Sequence, residues 1–326
     1  MEKTNYQKIR SHLLSGLTER QKEVILRRFG LESFKRRETL ESIGKDFDVC
    51  RERVRQIQQA SLQKIKLRAK NYSKIFESFT KYLKSFGGLR REDVLLEALG
   101  GEKWQNDIYF LLALKESFQR LNESDDFYPL WTINQDSCVL AKKTINSLCA
   151  KLKEEKKPLL LKDLNSFLPL KRKTLFSYLE VSKKINKNQE DLYGLSDWPE
   201  INPRGVKDRA YLAFKKTGKP LHFIEVANLI EGGHPQTVHN ELIKDSRFVL
   251  VGRGMYALSE WGYYPGHVKD IISKVLQESE YPLAKEEILS KVLKQRLVKQ
   301  NTVILNLSNK KYFIRDSEGR YRIREI

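Results

Sequence analysis

Six consecutive residues, Arg51-Glu52-Arg53-Val54-Arg55-Gln56, hold the side chains of this 326-residue chain that are best suited to chemistry. On a helix, residues four apart stand on one face. Arg51 and Arg55 therefore align, as do Glu52 and Gln56, while Val54 and Ile57 turn the other way. The arginine fork matches O6 and N7 of guanine, glutamine pairs with N6 and N7 of adenine, and glutamate accepts from the cytosine amine. The chemistry open to this spacing is recognition of base edges in a major groove. Alone, the same residues would form an ordinary solvated helix face, so the surrounding elements have to decide.

Those elements read as a helix-turn-helix. Thr18 and Gln21 have capping-box spacing, and the helix after them carries Val24, Ile25, Leu26 and Phe29 on or near one face and stops at Gly30. Ser33 to Glu38 is a polar, basic connector. Thr39 opens a short helix with Leu40 and Ile43 inward, and a turn follows through Phe47-Asp48-Val49. From Cys50 a longer helix runs to about Lys70, with Val54, Ile57, Leu62 and Ile65 apolar. Two helices joined by a tight turn, the second led by basic and amide side chains, form the arrangement that places a recognition helix in DNA.

Leu17-Thr18-Glu19-Arg20-Gln21, Arg28-Phe29-Gly30-Leu31, Thr39-Leu40-Glu41-Ser42-Ile43-Gly44 and Arg51 to Ile57 fall in order within about residues 13–67. Together they resemble the region of primary sigma factors that reads the promoter −35 element. The resemblance implies that Arg51, Glu52, Arg55 and Gln56 read bases. It also implies that Arg53 and the connector residues Lys35, Arg36 and Arg37 are available to phosphate, and that the first helices dock on RNA polymerase. Cys50 departs from the family, which usually has Ser or Thr as the cap. A thiol caps weakly, so a looser helix start and an inert, half-buried cysteine are expected. The sigma segments that hold the polymerase clamp and melt the −10 element have no counterpart here, so binding of duplex without opening is expected.

Charge and periodicity organise the rest. The net charge of +19 is unevenly spread. Residues 1–70 hold 18 Lys/Arg against 9 Asp/Glu, residues 91–140 hold 4 against 10, and residues 141–190 hold 13 against 5. Alternating blocks suggest that particular faces meet a polyanion. Tyr193-Gly194-Leu195-Ser196-Asp197-Trp198 recurs 63 residues later as Tyr256-Ala257-Leu258-Ser259-Glu260-Trp261, and Thr174, Thr237 and Thr302 repeat at nearly that period. Each repeat reads as a helix, a Pro-led segment (Pro158, Pro220, Pro282), two more helices and a hairpin. That order describes winged helices at 141–204, 205–263 and 264–326. Residues 73–140 read as a degenerate, acidic fourth: Arg90–Leu99 and Ile108–Leu121 as helices, Phe127–Ile133 as a wing strand. Its charge suits packing or protein contact better than phosphate.

The middle repeat carries Pro220-Leu221-His222-Phe223, Ile224-Glu225-Val226-Ala227, Phe248-Val249 and Gly252 to Leu258. It resembles the HARE-type helix-turn-helix, a family that includes the N-terminal domain of the delta subunit of bacterial RNA polymerase. The resemblance implies a module that binds nucleic acid or polymerase and has no catalytic residue. Phosphate contacts are expected from Lys171, Arg172 and Lys173 in the second basic block and from Lys299 and Lys311 in the last.

Other function classes find little support. Cys50, Cys138 and Cys149 lack paired spacing, and the five histidines lack metal-ligand spacing. Gly232-Gly233 and Gly252-Arg253-Gly254 are short turns without the Lys-Ser/Thr of a phosphate loop, and no nucleophile elbow occurs. No cofactor, metal, small-molecule substrate or catalysis is expected. No apolar run reaches membrane-spanning length, which suggests a soluble cytoplasmic protein on the nucleoid. The fold class expected is mainly α with small β-hairpins: a helix-turn-helix at 1–72, then tandem winged helices. Duplex DNA and bacterial RNA polymerase are the expected partners. The rivals are a polymerase-binding accessory whose wings touch protein, and a DNA-organising protein without sequence preference.

Overall fold

The computed structural model describes residues 5–34 and 36–324. The capping box expected at Thr18 is formed: its hydroxyl accepts from the Gln21 backbone N–H, and the Gln21 side chain accepts from the Thr18 N–H, both at 3.3 Å. Gly30 ends that helix at φ 65°, left-handed geometry that glycine adopts without penalty. The first four helices are α1 (Tyr6–Leu14), α2 (Glu19–Phe29), α3 (Leu40–Asp46) and α4 (Arg51–Ala69).

The chain is mostly helical with small antiparallel sheets, and it divides into two compact units, Met1–Asp197 and Trp198–Ile326. In the first unit α5 (Ser73–Ser85), β1 (Leu89–Arg91), α6 (Glu92–Leu114), β2 (Gln119–Leu121) and β3 (Leu130–Thr132) follow α4. Next come α7 (Gln135–Glu155), β4 (Leu159–Leu160), α8 (Leu161–Ser166), α9 (Arg172–Val181), β5 (Ile185–Lys187) and β6 (Leu192–Leu195). The second unit holds α10 (Gly205–Thr217), β7 (Leu221–His222), α11 (Phe223–Leu229), α12 (Pro235–Lys244), β8 (Phe248–Gly252) and β9 (Met255–Leu258). It continues with α13 (Val268–Gln277), α14 (Lys285–Gln295), α15 (Gln300–Leu307), β10 (Phe313–Arg315) and β11 (Tyr321–Ile323).

One sheet pattern recurs: β1-β3-β2, β4-β6-β5 and β7-β9-β8. The last hairpin, β10-β11, gains only a single bridge from Leu283 to Tyr321 where the others have a strand. Helix, strand, two helices and hairpin is the order of a winged helix. The acidic stretch has it too, because α6 breaks at Gly101 (φ 59°) and Trp104 into two helical arms.

Two sequence expectations fail there. Arg90 and Arg91 lie in β1, and Gln119–Leu121 is a strand, although both stretches read as helix. In each case pairing with β3, Arg91 to Leu130 and Gln119 to Thr132, outweighs the helical spacing of nearby leucines.

A single apolar core runs through residue 72. Leu13, Ile25, Phe29 and Leu31 from the first helices pack with Ile65 of α4, Phe79 and Leu83 of α5, Leu95, Ile108 and Phe110 of α6, and Trp131. Burying each such side chain contributes about 1.5–3 kcal/mol. Polar contacts seal this interface and brace the acidic module beside it. Arg10 Nη1 donates to Asp107 Oδ1 at 2.7 Å with both side chains nearly buried. Glu92 accepts from Arg120 and from Trp131 Nε1 at 3.0 Å. The acidic module's other flank is paired as well: Asp126 with Lys142 and Lys184, both at 2.7 Å, Glu123 with Lys183 at 2.5 Å, and Arg90 with Glu180 at 3.2 Å. Much of the negative charge thus faces protein cations.

The third helix of the next module, α9, is docked on β1. Ser177 Oγ donates to the Leu89 carbonyl at 2.6 Å. A Cβ at Gly87 would lie 2.3 Å from Thr174 Cγ2, so the approach needs glycine.

Candidate nucleic-acid interface

Helix α4 is positioned by a small core of its own. Val24 of α2, Ile43 of α3 and Val54 of α4 are fully buried, with Leu40, Phe47, Val49 and Ile57 packed around them. The turn crosses directly over Gly44. Val49 N–H donates to the Gly44 carbonyl at 2.9 Å, and a Cβ on Gly44 would stand 2.7 Å from the Val49 oxygen. Asp48 takes up the reversal at φ 53°.

Arg27 straps the connector. Its Nε and Nη2 donate to the Glu38 oxygens at 3.0 and 2.7 Å, and Nη2 also pairs with Asp46. Arg27 holds the Glu38 carboxyl below the usual carboxylate range, and the carboxylates raise the guanidinium in turn. Arg28 Nη1 donates to the Glu38 carbonyl at 2.7 Å. The connector is therefore fixed at its far end.

On α4 the structure places Arg51, Glu52, Arg53, Arg55 and Gln56 together on an exposed surface, with Val54 inward. These side chains already pair with one another. Arg55 donates through Nε and Nη2 to both Glu52 oxygens at 2.8 and 2.6 Å, which holds that carboxyl below its ordinary range. Arg53 Nη1 donates to Gln56 Oε1 at 3.2 Å. Arg51 makes no hydrogen bond or ion pair among the described residues. Any ligand of Arg55 has to compete with, or share, the Glu52–Arg55 fork.

Cys50 caps α4 with no side-chain hydrogen bond, in keeping with a weak thiol cap. It is exposed, however, and not half-buried, because the turn places the N-cap side chain outside the Val24–Ile43–Val54 core.

The other expected phosphate residues divide. Lys35 lies outside the described residues, and Arg36 is exposed. Arg37 is committed to protein: its guanidinium sits 4.0 Å from the Tyr109 ring centre and 3.7 Å from Glu92. The sequence could not signal this, since Tyr109 and Glu92 are brought there by the shared core. Lys171, Arg172 and Lys173 are exposed at the start of α9. Arg172 and Lys173 line an open groove of about 700 Å³ with Lys162, Lys187, Phe176 and Tyr193. Lys162 stands alone along the chain and Lys187 just follows Lys183-Lys184; the fold brings α8 and β5 to one groove, where Lys187 pairs with Asp191 at 2.6 Å. Lys299 precedes α15 and Lys311 follows it, both exposed in the second unit. No group of three His, Cys, Asp or Glu among the described residues is arranged to hold a metal ion. No helix among them is long and apolar enough to cross a membrane.

Comparison with known proteins places a family on this site. Residues 13–67 match Sigma-70, region 4. The chain is similar to the RNA polymerase sigma factor RpoD of Helicobacter pylori strains 26695 and J99, 45% identical over 67 residues in each case. That alignment covers 21% of this chain and 10% of the sigma factor. It is also similar to the RNA polymerase sigma factor SigA of Clostridium acetobutylicum, 46% identical over 54 residues, 17% of this chain and 14% of that protein. The chain thus spans a small part of the relatives it matches, and the likeness is that of the region 4 domain.

Proposed function

We propose that this protein binds duplex DNA of promoter type through α4 and acts on transcription initiation together with RNA polymerase. The observation that carries the reading is the exposed set Arg51, Glu52, Arg55 and Gln56, held on a rigid helix inside the region 4 match. Arg51 and Arg55 suit guanine, Gln56 suits adenine, and Glu52 suits cytosine or orients Arg55. Arg36, Arg53 and the α9 cluster Lys171, Arg172 and Lys173 would supply phosphate contacts and the salt dependence that accompanies them. The protein has no catalytic role in this reading and works on the nucleoid.

The test is selection of preferred duplexes from a random pool, followed by Arg55→Ala. Loss of about 1–3 kcal/mol on the preferred site, with little change on scrambled duplex, supports base reading. Equal weakening on every sequence reduces Arg55 to a phosphate contact.

A second reading is favoured by one observation. The third helices of the first two winged helices are spent on protein, one arm of α6 against α2 and α4, and α9 against β1. These modules then serve as a protein-contact platform for polymerase, one of the two uses, nucleic acid or polymerase, implied by the resemblance of residues 206–261 to the HARE-type helix-turn-helix. Retention of polymerase by the Arg51→Ala/Arg55→Ala variant would favour that reading.

A further inference from the structure

The two hairpins of the second unit have the same register but opposite outer faces. In β8–β9, Phe248, Tyr256 and Leu258 face the module core. The other side, Val249, Val251 and Ala257, is apolar and lies beneath Trp261 and Tyr263. In β10–β11, Phe313, Tyr321 and Ile323 again face the core. Here the residue opposite Ile314, in the place of Ala257, is Arg322, and it is exposed.

Strand alternation sets Arg320 and Arg324 on the same side as Arg322, and backbone bonds extend the ladder through both positions, from Asp316 N–H to Arg320 O and from Arg324 N–H to Tyr312 O, each at 2.9 Å. Lys310 and Lys311 precede the hairpin. Its carboxylates are engaged within it: Asp316 accepts from the backbone N–H groups of Glu318 and Arg320, and Glu318 pairs with Arg320 at 2.9 Å. Arg324 Nη1 anchors on the Lys310 carbonyl at 2.9 Å.

We infer that the outer face of the β10–β11 hairpin is a second duplex-DNA contact, in which Arg320, Arg322 and Arg324 engage phosphates of one strand. Successive arginines on this face rise about 6.7 Å apart along the strand. Neighbouring phosphates of one DNA strand, which rise about 3.4 Å and turn about a tenth of a turn per step, lie at about that spacing. Arginine also offers the planar donor fork that suits phosphate oxygens. Such a contact reads no sequence, so its role is to add affinity and a second grip per chain.

The test measures binding of the full chain to a duplex of scrambled sequence over a series of salt concentrations. Three variants are compared with the wild type: Arg320→Ala/Arg322→Ala/Arg324→Ala, Arg320→Ala/Arg322→Ala, which keeps the Arg324 anchor, and Arg51→Ala/Arg55→Ala. The triple variant is expected to flatten the log–log salt slope by about 2–3 units and the double by about 2, with unchanged thermal melting. Unchanged slopes in folded variants overturn the inference, as does loss of polymerase binding without loss of DNA binding. The α4 variant separates this contact from base reading. It should lose sequence preference yet retain the slope that the hairpin contributes. Complete loss of DNA binding in the α4 variant would also overturn the inference, whereas retention of full preference would sink the reading of α4 and leave the hairpin standing.

Discussion

Asp107→Ala tests whether the helix-turn-helix domain and the acidic module are one folded body. The Arg10 and Asp107 side chains are 9% and 8% exposed and meet at 2.7 Å. Burial pushes the Asp107 carboxyl up, and Arg10 pulls it back. Removal of the carboxylate strands a buried guanidinium whose remaining carboxylate, Glu32, is 3.5 Å away and partly exposed. Breaking a buried pair on one side costs about 3–5 kcal/mol. Glu116→Ala breaks an exposed bridge to Lys66, where little effect on stability is expected. Trp104 lies 6.0 Å from the Arg10 guanidinium and reports locally. In a Trp198→Phe/Trp261→Phe background, urea titration of the remaining fluorescence, from Trp104 and Trp131 of the same core, should show Asp107→Ala shifting the midpoint by about 1–2 M. The apolar pair Arg10→Met/Asp107→Leu should recover most of that loss, because filling both positions leaves no charge unpaired. A cost for Asp107→Ala no greater than that of Glu116→Ala would refute the shared core.

Gly44→Ala should destabilise the first unit by about 1–3 kcal/mol and weaken duplex binding, since its Cβ meets the Val49 carbonyl at 2.7 Å; thermal melting and fluorescence anisotropy check both. Cys50→Ser should stabilise by about 1 kcal/mol through a new bond to the first turn of α4, and an unchanged urea midpoint would mean the turn cannot present the hydroxyl. Asp126 is held at about 2 by Lys142 and Lys184, below the unfolded value of about 3.9. Its contribution is therefore complete above about pH 4 and lost as pH falls through about 2. Asp126→Asn should flatten that part of the acid-unfolding curve, and an identical curve would mean that these pairs add nothing.

The helix-turn-helix was legible because each of its signals is local. Thr18 with Gln21, Gly30, Thr39 and the apolar positions Val24, Ile43 and Val54 lie within a few residues of what they control. The 63-residue period points to repeated units, and the sheet order β4-β6-β5 recurs as β7-β9-β8. What stayed hidden depends on which face a module gives to its neighbour. Arg37 looks like any connector cation until Tyr109 arrives under it. Arg55 and Glu52 have spacing that suits both base reading and mutual pairing, and only coordinates show the fork closed. Arg322 sits in a stretch resembling Tyr256-Ala257-Leu258, where the period draws attention to the tyrosine and away from the residue that changed character.

The core that ignores residue 72 bears on any attempt to transplant the reader. Sequence likeness stops at residue 67, but a graft cut there would carry Leu13, Leu14, Phe29, Leu31 and Ile65 as a bare greasy flank. Such a fragment would be expected to clump or to fold only when something replaces α6. A faithful transplant has to extend at least through Thr132, and since α9 lies over β1, Asp197 is the cleaner place to cut. Ancestry and foldability draw their borders in different places along this polypeptide.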